Sequence, residues 1–213
     1  IGSSVFPDAT DLDMCLAFLC TNLAFEFLGI LNPTMVFQVG NVAALPVLRE
    51  GWEAIRAPAS KNARRAVAIA RSDWNSFETS WDFGTFPPCG FHASSLAASM
   101  AAWRTDRETA TGRMKALEEE NNRLFIEAYG LQDELSPDVP DDQITLARAD
   151  GTQDTKALLS YAVGCAMGRY SLDEPGLIYA ESGSDGFDPD RYAKFPATED
   201  SILAVTADEW FEN

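Results

Sequence analysis

A mainly α fold with minor β is what this sequence predicts, and three observations carry the expectation. Residues 92–129 hold apolar positions at alternating spacings of four and three, with no proline. Two further stretches, 10–28 and 155–170, are apolar and long enough for helices of several turns. Runs that read as extended are short: residues 34–39, and Ile202-Leu203-Ala204-Val205 near the end. The expected architecture is a long-helix bundle or connector with a short strand near the N-terminus and an irregular acidic tail.

The elements follow in chain order. Thr10-Asp11-Leu12-Asp13 has the form of a helix start, with a hydroxyl at the cap and a carboxylate three residues on. This helix runs to about Leu28, and its polar stripe is narrow, chiefly Asn22 and Glu26, so it is expected to be buried nearly all round. Asn32-Pro33 ends it, and residues 34–39 then read as a strand stopped by Gly40-Asn41. Residues 60–71 read as a short basic helix. Residues 72–88 gather five aromatics and two prolines in chain expected to be irregular.

The long helix from His92 to Tyr129 has the seam Leu96, Met100, Trp103, Arg107, Ala110, Met114, Leu117, Asn121, Leu124, Ala128, with Arg107 and Asn121 as polar interruptions. Gly130 stands where a terminating glycine is expected. Residues 136–142 form an acidic, proline-containing connector. A third helix spans residues 155–170, with Leu159, Val163, Ala166, Met167 and Tyr170 on one arc. Ser160, Gly164 and Gly168 lie four apart on an adjacent face, a spacing that predicts close approach by a neighbour, with the long helix as the preferred one. From Glu181 the chain turns rich in Gly, Asp and Pro.

The chain has 213 residues, 16 Lys and Arg against 33 Asp and Glu, and a formal net charge of −17. That balance excludes a free-standing, generally basic nucleic-acid binder and disfavours docking on an anionic membrane. The charge is uneven: residues 1–90 carry 6 basic and 9 acidic groups, residues 91–213 carry 10 and 24. A weak basic cluster, Arg56, Lys61, Arg64, Arg65 and Arg71, lies in the first half, and nucleic-acid contact is expected there. The apolar region 14–31 is too polar for a membrane span and has acidic flanks, unlike a signal peptide. The four cysteines are too scattered for a disulfide framework and read as reduced, mostly buried thiols. The chain begins at Ile1, as expected of a processed product or an excised fragment.

No phosphate loop, Gly-x-Ser-x-Gly elbow, zinc motif or EF-hand loop is present. With one histidine, His92, a Ser-His-Asp or Cys-His mechanism would have to run through it, and a structural His is the expectation. No catalytic, cofactor-binding or metal-ligating residue is therefore assigned. The DNA-contact candidates are Arg64, Arg65, Arg169, Trp74 and Trp81. Trp74, Phe77, Trp81, Phe83 and Phe86 have the chemistry to stack on bases. The favoured reading is that these aromatics pin an irregular segment to a core. Arg169 has the reach for a phosphate or a base edge, against a favoured structural role in an ion pair or at helix carbonyls.

Four stretches occur in the same order in one family: LNPTMVFQVGNVAALPV at 31–47, SDWNSFETSWDF at 72–83, NNRLFIEAYGLQDEL at 121–135 and LLSYAVGCAMGRYSLDEPGLIYA at 158–180. By them the chain resembles the large adenine-specific DNA methyltransferases of the PglX type from bacterial phage-exclusion (BREX) systems. Related type II restriction–modification enzymes with a fused methylase share parts of the pattern. TADEWFEN at 206–213 resembles the segment that follows in the same proteins.

The resemblance implies a parent that transfers a methyl group from S-adenosylmethionine to adenine N6 in duplex DNA, in the cytoplasm. Its Asn-Pro-Pro-Tyr tetrad and Gly-rich cofactor motif are absent; Asn32-Pro33-Thr34-Met35 lacks the second proline and the aromatic. In family terms residues 1–47 resemble the end of the methyltransferase domain and residues 48–180 a helical connector. Residues 181–213 resemble an acidic tail leading to the next domain. The implied partners are the methyltransferase and target-recognition domains of the same parent, with duplex DNA met only through that parent and no membrane. The competing expectation is an acidic protein-interaction or DNA-mimicking module of a defence complex, carried by the net charge alone.

Overall fold

The computed structural model describes residues 4–34, 36–179 and 186–198. Six α-helices occur among them: α1 Leu12–Leu19, α2 Asn22–Leu31, α3 Val39–Ala43, α4 Arg49–Trp74, α5 Leu96–Tyr129 and α6 Gly151–Ala166. No strand occurs among the described residues, so the mainly α expectation holds without its N-terminal strand. The expected run at 202–205 and the TADEWFEN segment lie outside the described residues. The chain forms two compact units: residues 1–71 with 108–146, and residues 72–107 with 147–213.

In the first unit, the single N-terminal helix read from sequence is two helices, bent by 70° between Leu19 and Asn22. Thr21 makes the break: its Oγ1 donates to the Phe18 carbonyl at 2.6 Å and accepts from the Ala24 N–H at 3.1 Å. Residues distant in sequence complete it. The Asn121 amide donates to the Ala17 carbonyl at 2.7 Å, and the Asn22 N–H donates to Asn122 Oδ1 at 3.0 Å. Asp11 caps α1 without a side-chain hydrogen bond, because its carboxylate is held by Arg56 at 2.7 Å.

The expected strand at 34–39 fails because its last residue opens α3. The Gln38 N–H donates to Asn41 Oδ1 at 2.9 Å, so Gly40-Asn41 begins a helix instead of ending a strand. Helix α4 reaches well upstream of the expected residue 60, running through Pro58. Packing overrides local propensity here. Trp52 and Ala59 are buried in the core, and Trp52 Nε1 donates to the Tyr129 hydroxyl at 3.2 Å. That hydroxyl in turn donates to the Pro46 carbonyl at 2.6 Å, fixing the chain just ahead of the helix.

The core of this unit gathers Met14, Phe18, Leu23, Trp52, Ala59 and Phe125. Phe18 lies 5.1 Å from Trp52 and 5.5 Å from Phe125, centroid to centroid. The acidic connector and the residues just after it pack down through Val139, Ile144 and Leu146 against Met114.

The seam of α5 differs from a strict heptad. Trp103, Arg107, Met114, Asn121, Phe125 and Ile126 are buried, whereas Leu96 is 52% exposed and Leu117 and Leu124 are half-buried. A straight helix drifts about 20° per heptad from a 3.5-residue repeat, so the buried line moves toward Phe125 by the fourth heptad. The two residues read as interruptions are thus among the best buried. Gly130, at φ +70°, closes α5, with the Leu131 N–H on the Ile126 carbonyl at 3.0 Å.

In the second unit, Phe83, Phe86, Trp103, Tyr161, Cys165 and Tyr170 form an aromatic core. Helix α6 starts and ends four residues earlier than its sequence expectation. It ends on a Schellman motif: the Arg169 N–H donates to the Gly164 carbonyl at 2.8 Å and the Gly168 N–H to the Cys165 carbonyl at 3.0 Å, with Gly168 at φ +76°. Gly168 is therefore the terminating glycine, and it is closely approached as well, since a Cβ there would lie 3.3 Å from the Tyr192 hydroxyl. Gly164 does face a close neighbour, but that neighbour is the Tyr170 ring: a Cβ there would lie 2.6 Å from Cδ2. The expected apolar arc is largely turned outward, with Leu159 61%, Val163 47% and Met167 38% exposed.

Arg107 is buried beside Asp154, with Nη1 3.8 Å from Oδ1. Its Nε donates to the Ala147 carbonyl at 3.2 Å, and its guanidinium carbon lies 4.7 Å from the centre of the Trp103 ring. All four cysteines are free, but only Cys165 is buried and Cys20 is exposed, against the expectation of mostly buried thiols.

Candidate nucleic-acid interface

In the first unit the candidates Arg64 and Arg65 stand on the exposed side of α4. At 100° per residue, Lys61, Arg64, Arg65, Ala68 and Arg71 share an arc of about 120°. Trp52, Ala59 and Ala63 take the opposite, buried side. The acids of this face, Glu50 and Glu53, sit at the N-terminal end of the helix and the bases at its C-terminal end, the arrangement the helix dipole favours.

Not every base is free. Arg64 pairs with Asp13 at 2.6 Å, and Arg56 is held by Glu53 and Asp11, both at 2.7 Å. Those hydrogen bonds, Glu53 first, push the Arg56 pKa above its ordinary value. Lys61, Arg65 and Arg71 have no acidic partner among the described residues, so three cations on one helix face remain available to phosphate oxygens.

In the second unit Trp81 and Arg169 come together. Both line a shallow cleft of about 200 Å³ with Glu78, Phe83, Tyr170 and Leu177. Trp81 is fully exposed and Arg169 is exposed, its guanidinium carbon 5.5 Å from the Tyr170 ring centre. Among the described residues Arg169 has no ion pair and no side-chain contact with helix carbonyls, the two structural roles expected of it. Glu78 accepts hydrogen bonds from the Tyr170 hydroxyl and from Ser160 Oγ, each at 3.3 Å. Burial, followed by the Glu78 charge, raises the Tyr170 pKa, so this hydroxyl stays a donor.

The aromatic run divides. Phe83 and Phe86 are core residues, as the favoured reading expects, and Phe77 packs against Arg107 at 5.4 Å. Trp74 is 60% exposed and lines neither cleft nor basic arc.

Asn32 has no opening for methyl-transfer chemistry. Its Oδ1 accepts from the Thr34 N–H at 3.1 Å and the Thr34 hydroxyl at 2.7 Å. Its Nδ2 donates to the Val36 carbonyl at 3.0 Å and to Asn41 at 3.2 Å. An asparagine that grips a target amine needs a free carbonyl, and here both ends of the amide are engaged in a loop. Among the described residues no group of three or more His, Cys, Asp or Glu gathers for a metal ion. No single described helix is long and apolar enough to cross a membrane.

Sequence reasoning found the basic cluster but missed that Glu78 shares a cleft with Trp81 and Arg169, and it missed a largely apolar cleft whose lining includes Asn62, Ala63, Val67, Met114 and Asn121. The signal for Asn62 is its register, three residues after Ala59 and four before Ala66 on the buried side of α4.

No protein-family model matches the chain. It is 39% identical over 214 aligned residues to the adenine-specific methyltransferase PglX of Lacticaseibacillus casei (strain Zhang). That alignment takes in 98% of the chain and 17% of the relative. It is 31% identical to the adenine-specific methyltransferase BrxX of Escherichia coli O9:H4 (strain HS), over 100% of the chain and 19% of that relative. The chain thus spans less than a fifth of the length of the curated relatives it matches.

Proposed function

We infer that a chain related from end to end to one segment of the PglX-type adenine-specific methyltransferases serves its parent as a structural connector between the catalytic and target-recognition parts. The observation that carries this reading is the alignment itself. It takes in the whole chain but a small fraction of each relative, and it lies where the catalytic tetrad is absent. The parent is an S-adenosylmethionine-dependent enzyme methylating adenine in duplex DNA, in the cytoplasm, as part of a restriction–modification or phage-exclusion system. The segment contributes neither cofactor contact nor catalytic group.

Residues 1–47 continue the methyltransferase domain while sharing one core with the start of the helical connector, 48–180, and 181–213 form the passage to the next domain. The exposed apolar residues Phe25, Ile30, Val36 and Val39 support the first of these assignments. Apolar surface of this kind marks an interaction site, and the rest of the methyltransferase domain is its natural cover.

Duplex DNA held by the parent runs against the α4 stripe, where Lys61, Arg65 and Arg71 neutralise backbone phosphates without reading sequence. In the full-length enzyme, replacing all three with Glu weakens duplex binding uniformly across sequences. It also flattens the dependence of log affinity on log salt by about 0.9 per lost contact. Affinity for S-adenosylmethionine stays unchanged. An unaltered salt slope rules out the stripe as a DNA contact. Micromolar binding of S-adenosylmethionine by the isolated 213-residue chain, measured by titration calorimetry, overturns the connector reading.

A further inference from the structure

A second cleft of the second unit, about 580 Å³, lies on the outward side of α6 and adjoins the one that Trp81 lines. Leu159, Val163, Met167 and Leu177 wall it, each more than a third exposed, and buried Gly164 and Tyr170 complete its lining. Single exposed apolar residues are ordinary on a protein surface, but four around one concavity mark a binding surface. Two unlike charges stand at the junction of the clefts, since Glu78 and Arg169 line both. The Glu78 carboxylate is placed by hydroxyls of two residues that themselves line the larger cleft. Its Oε2 accepts from Tyr170 and from Ser160, each at 3.3 Å, and its Oε1 has no partner among the described residues. The Arg169 guanidinium carbon stands 5.5 Å from the Tyr170 ring centre and pairs with no carboxylate among the described residues. The two charges thus flank one aromatic ring without meeting each other.

We propose that this cleft binds a zwitterion with an apolar body, the chemistry shared by an apolar amino acid and a short apolar peptide, with the ammonium on Glu78 and the carboxylate on Arg169. An anion with the same body finds Arg169 but is set beside the Glu78 charge. A cation finds Glu78 but is set beside Arg169. A neutral apolar molecule takes water from both charges and answers neither, which is costly. A zwitterion answers both, and the guanidinium–carboxylate contact is among the strong, directional kinds. The volume falls within the roughly 300–1,000 Å³ of small-molecule sites, and an apolar wall with a few convergent polar groups is their usual make-up. This site lies away from the α4 stripe and does not depend on the connector reading.

The test is a heteronuclear NMR titration of the ¹⁵N-labelled 213-residue chain with L-phenylalanine and two matched compounds. Phenethylamine is the same body without the carboxylate, and 3-phenylpropionate is the same body without the ammonium. L-Phenylalanine is expected to shift the backbone amide resonances of Leu159, Val163, Met167 and Leu177 saturably. It should bind roughly tenfold or more tightly than either matched compound, the effect of one lost hydrogen bond to a charged group. Arg169→Gln, at an exposed position, brings L-phenylalanine down to the level of phenethylamine and does not weaken phenethylamine. The dipeptide Phe-Leu separates the two sources of the chemistry: tighter binding than L-phenylalanine assigns the site to peptides, weaker binding to free amino acids. Equal binding of L-phenylalanine and the two matched compounds to the unaltered chain overturns the proposal. So does the lack of a saturable shift at these four residues up to the solubility limit of L-phenylalanine. Neither of those readouts requires a variant to fold.

Discussion

Replacing Gly164 with alanine sets helix propensity against packing, and the geometry decides which prevails. An alanine in a helix interior is favoured over glycine by about 1 kcal/mol. Against that, its Cβ would stand 2.6 Å from Cδ2 and 2.9 Å from Cε2 of Tyr170. The ring has little freedom to yield. It lies 5.2 Å from Tyr161 and 5.4 Å from Phe83, and its hydroxyl is tied to Glu78 at 3.3 Å. Overpacking a well-filled core costs about 1–3 kcal/mol. With the ring held on several sides the cost falls in the upper half of that range, leaving a net destabilisation of about 1–2 kcal/mol. Urea unfolding followed by far-UV circular dichroism reads the change. The same substitution in a Tyr170→Leu background meets no ring, so there alanine is neutral or stabilising, and the two sites couple by about 2 kcal/mol. A Gly164→Ala variant more stable than the parent chain, or coupling below about 0.5 kcal/mol, would refute the reasoning.

Other outcomes follow from the same structure. Arg107→Ala leaves Asp154 as an uncompensated buried charge and costs about 3–5 kcal/mol, whereas Arg107→Met with Asp154→Leu recovers most of that loss; urea midpoints compare the two. Phe125→Ala, at a site with no exposure, costs about 3–5 kcal/mol, while Leu96→Ala stays within about 0.5 kcal/mol, as thermal or urea unfolding measures. Burial pushes the Cys165 thiol up to about 11. Its contribution to stability is therefore complete below the ordinary thiol value and is lost as pH rises through about 11. Cys165→Ala should flatten the fall in the urea midpoint between mildly alkaline pH and that value, and an unchanged fall counts against the shift.

Long periodic segments were legible in the sequence because their signal is local. The end of α5 at Gly130 followed from a glycine taking a positive φ, and the pinning role of Phe83 and Phe86 followed from aromatic content in irregular chain. What escaped was set by partners distant in sequence. The break at Thr21 is held by Asn121 and Asn122, about a hundred positions on. The upstream part of α4 survives Pro58 because Trp52 and Ala59 are buried. The start of α3 is set by capping bonds between Gln38 and Asn41, which no alternation of apolar residues announces. The candidate site was half legible for the same reason. A run of bases on a helix is visible in sequence, but which bases are already held by Asp11 and Asp13 is not. The meeting of Trp81 with Arg169 likewise needs the turn after α6.

The first unit is discontinuous along the chain, and this has a consequence for its synthesis. Residues 1–71 leave the ribosome with Met14, Phe18, Leu23 and Trp52 made but with Phe125, Asn121 and Asn122 still untranslated. The last residue of the unit, Leu146, comes 75 positions after Arg71. At about 5–20 residues per second, that interval lasts on the order of 4–15 s. Throughout it, the apolar sides of α1 and α2 have no permanent cover, which is the period in which a nascent chain is open to aggregation or to a holding chaperone. A shortened piece ending near Arg107 makes the interval permanent. Any dissection that separates residues 108–146 from residues 1–71 divides a single core rather than a linker.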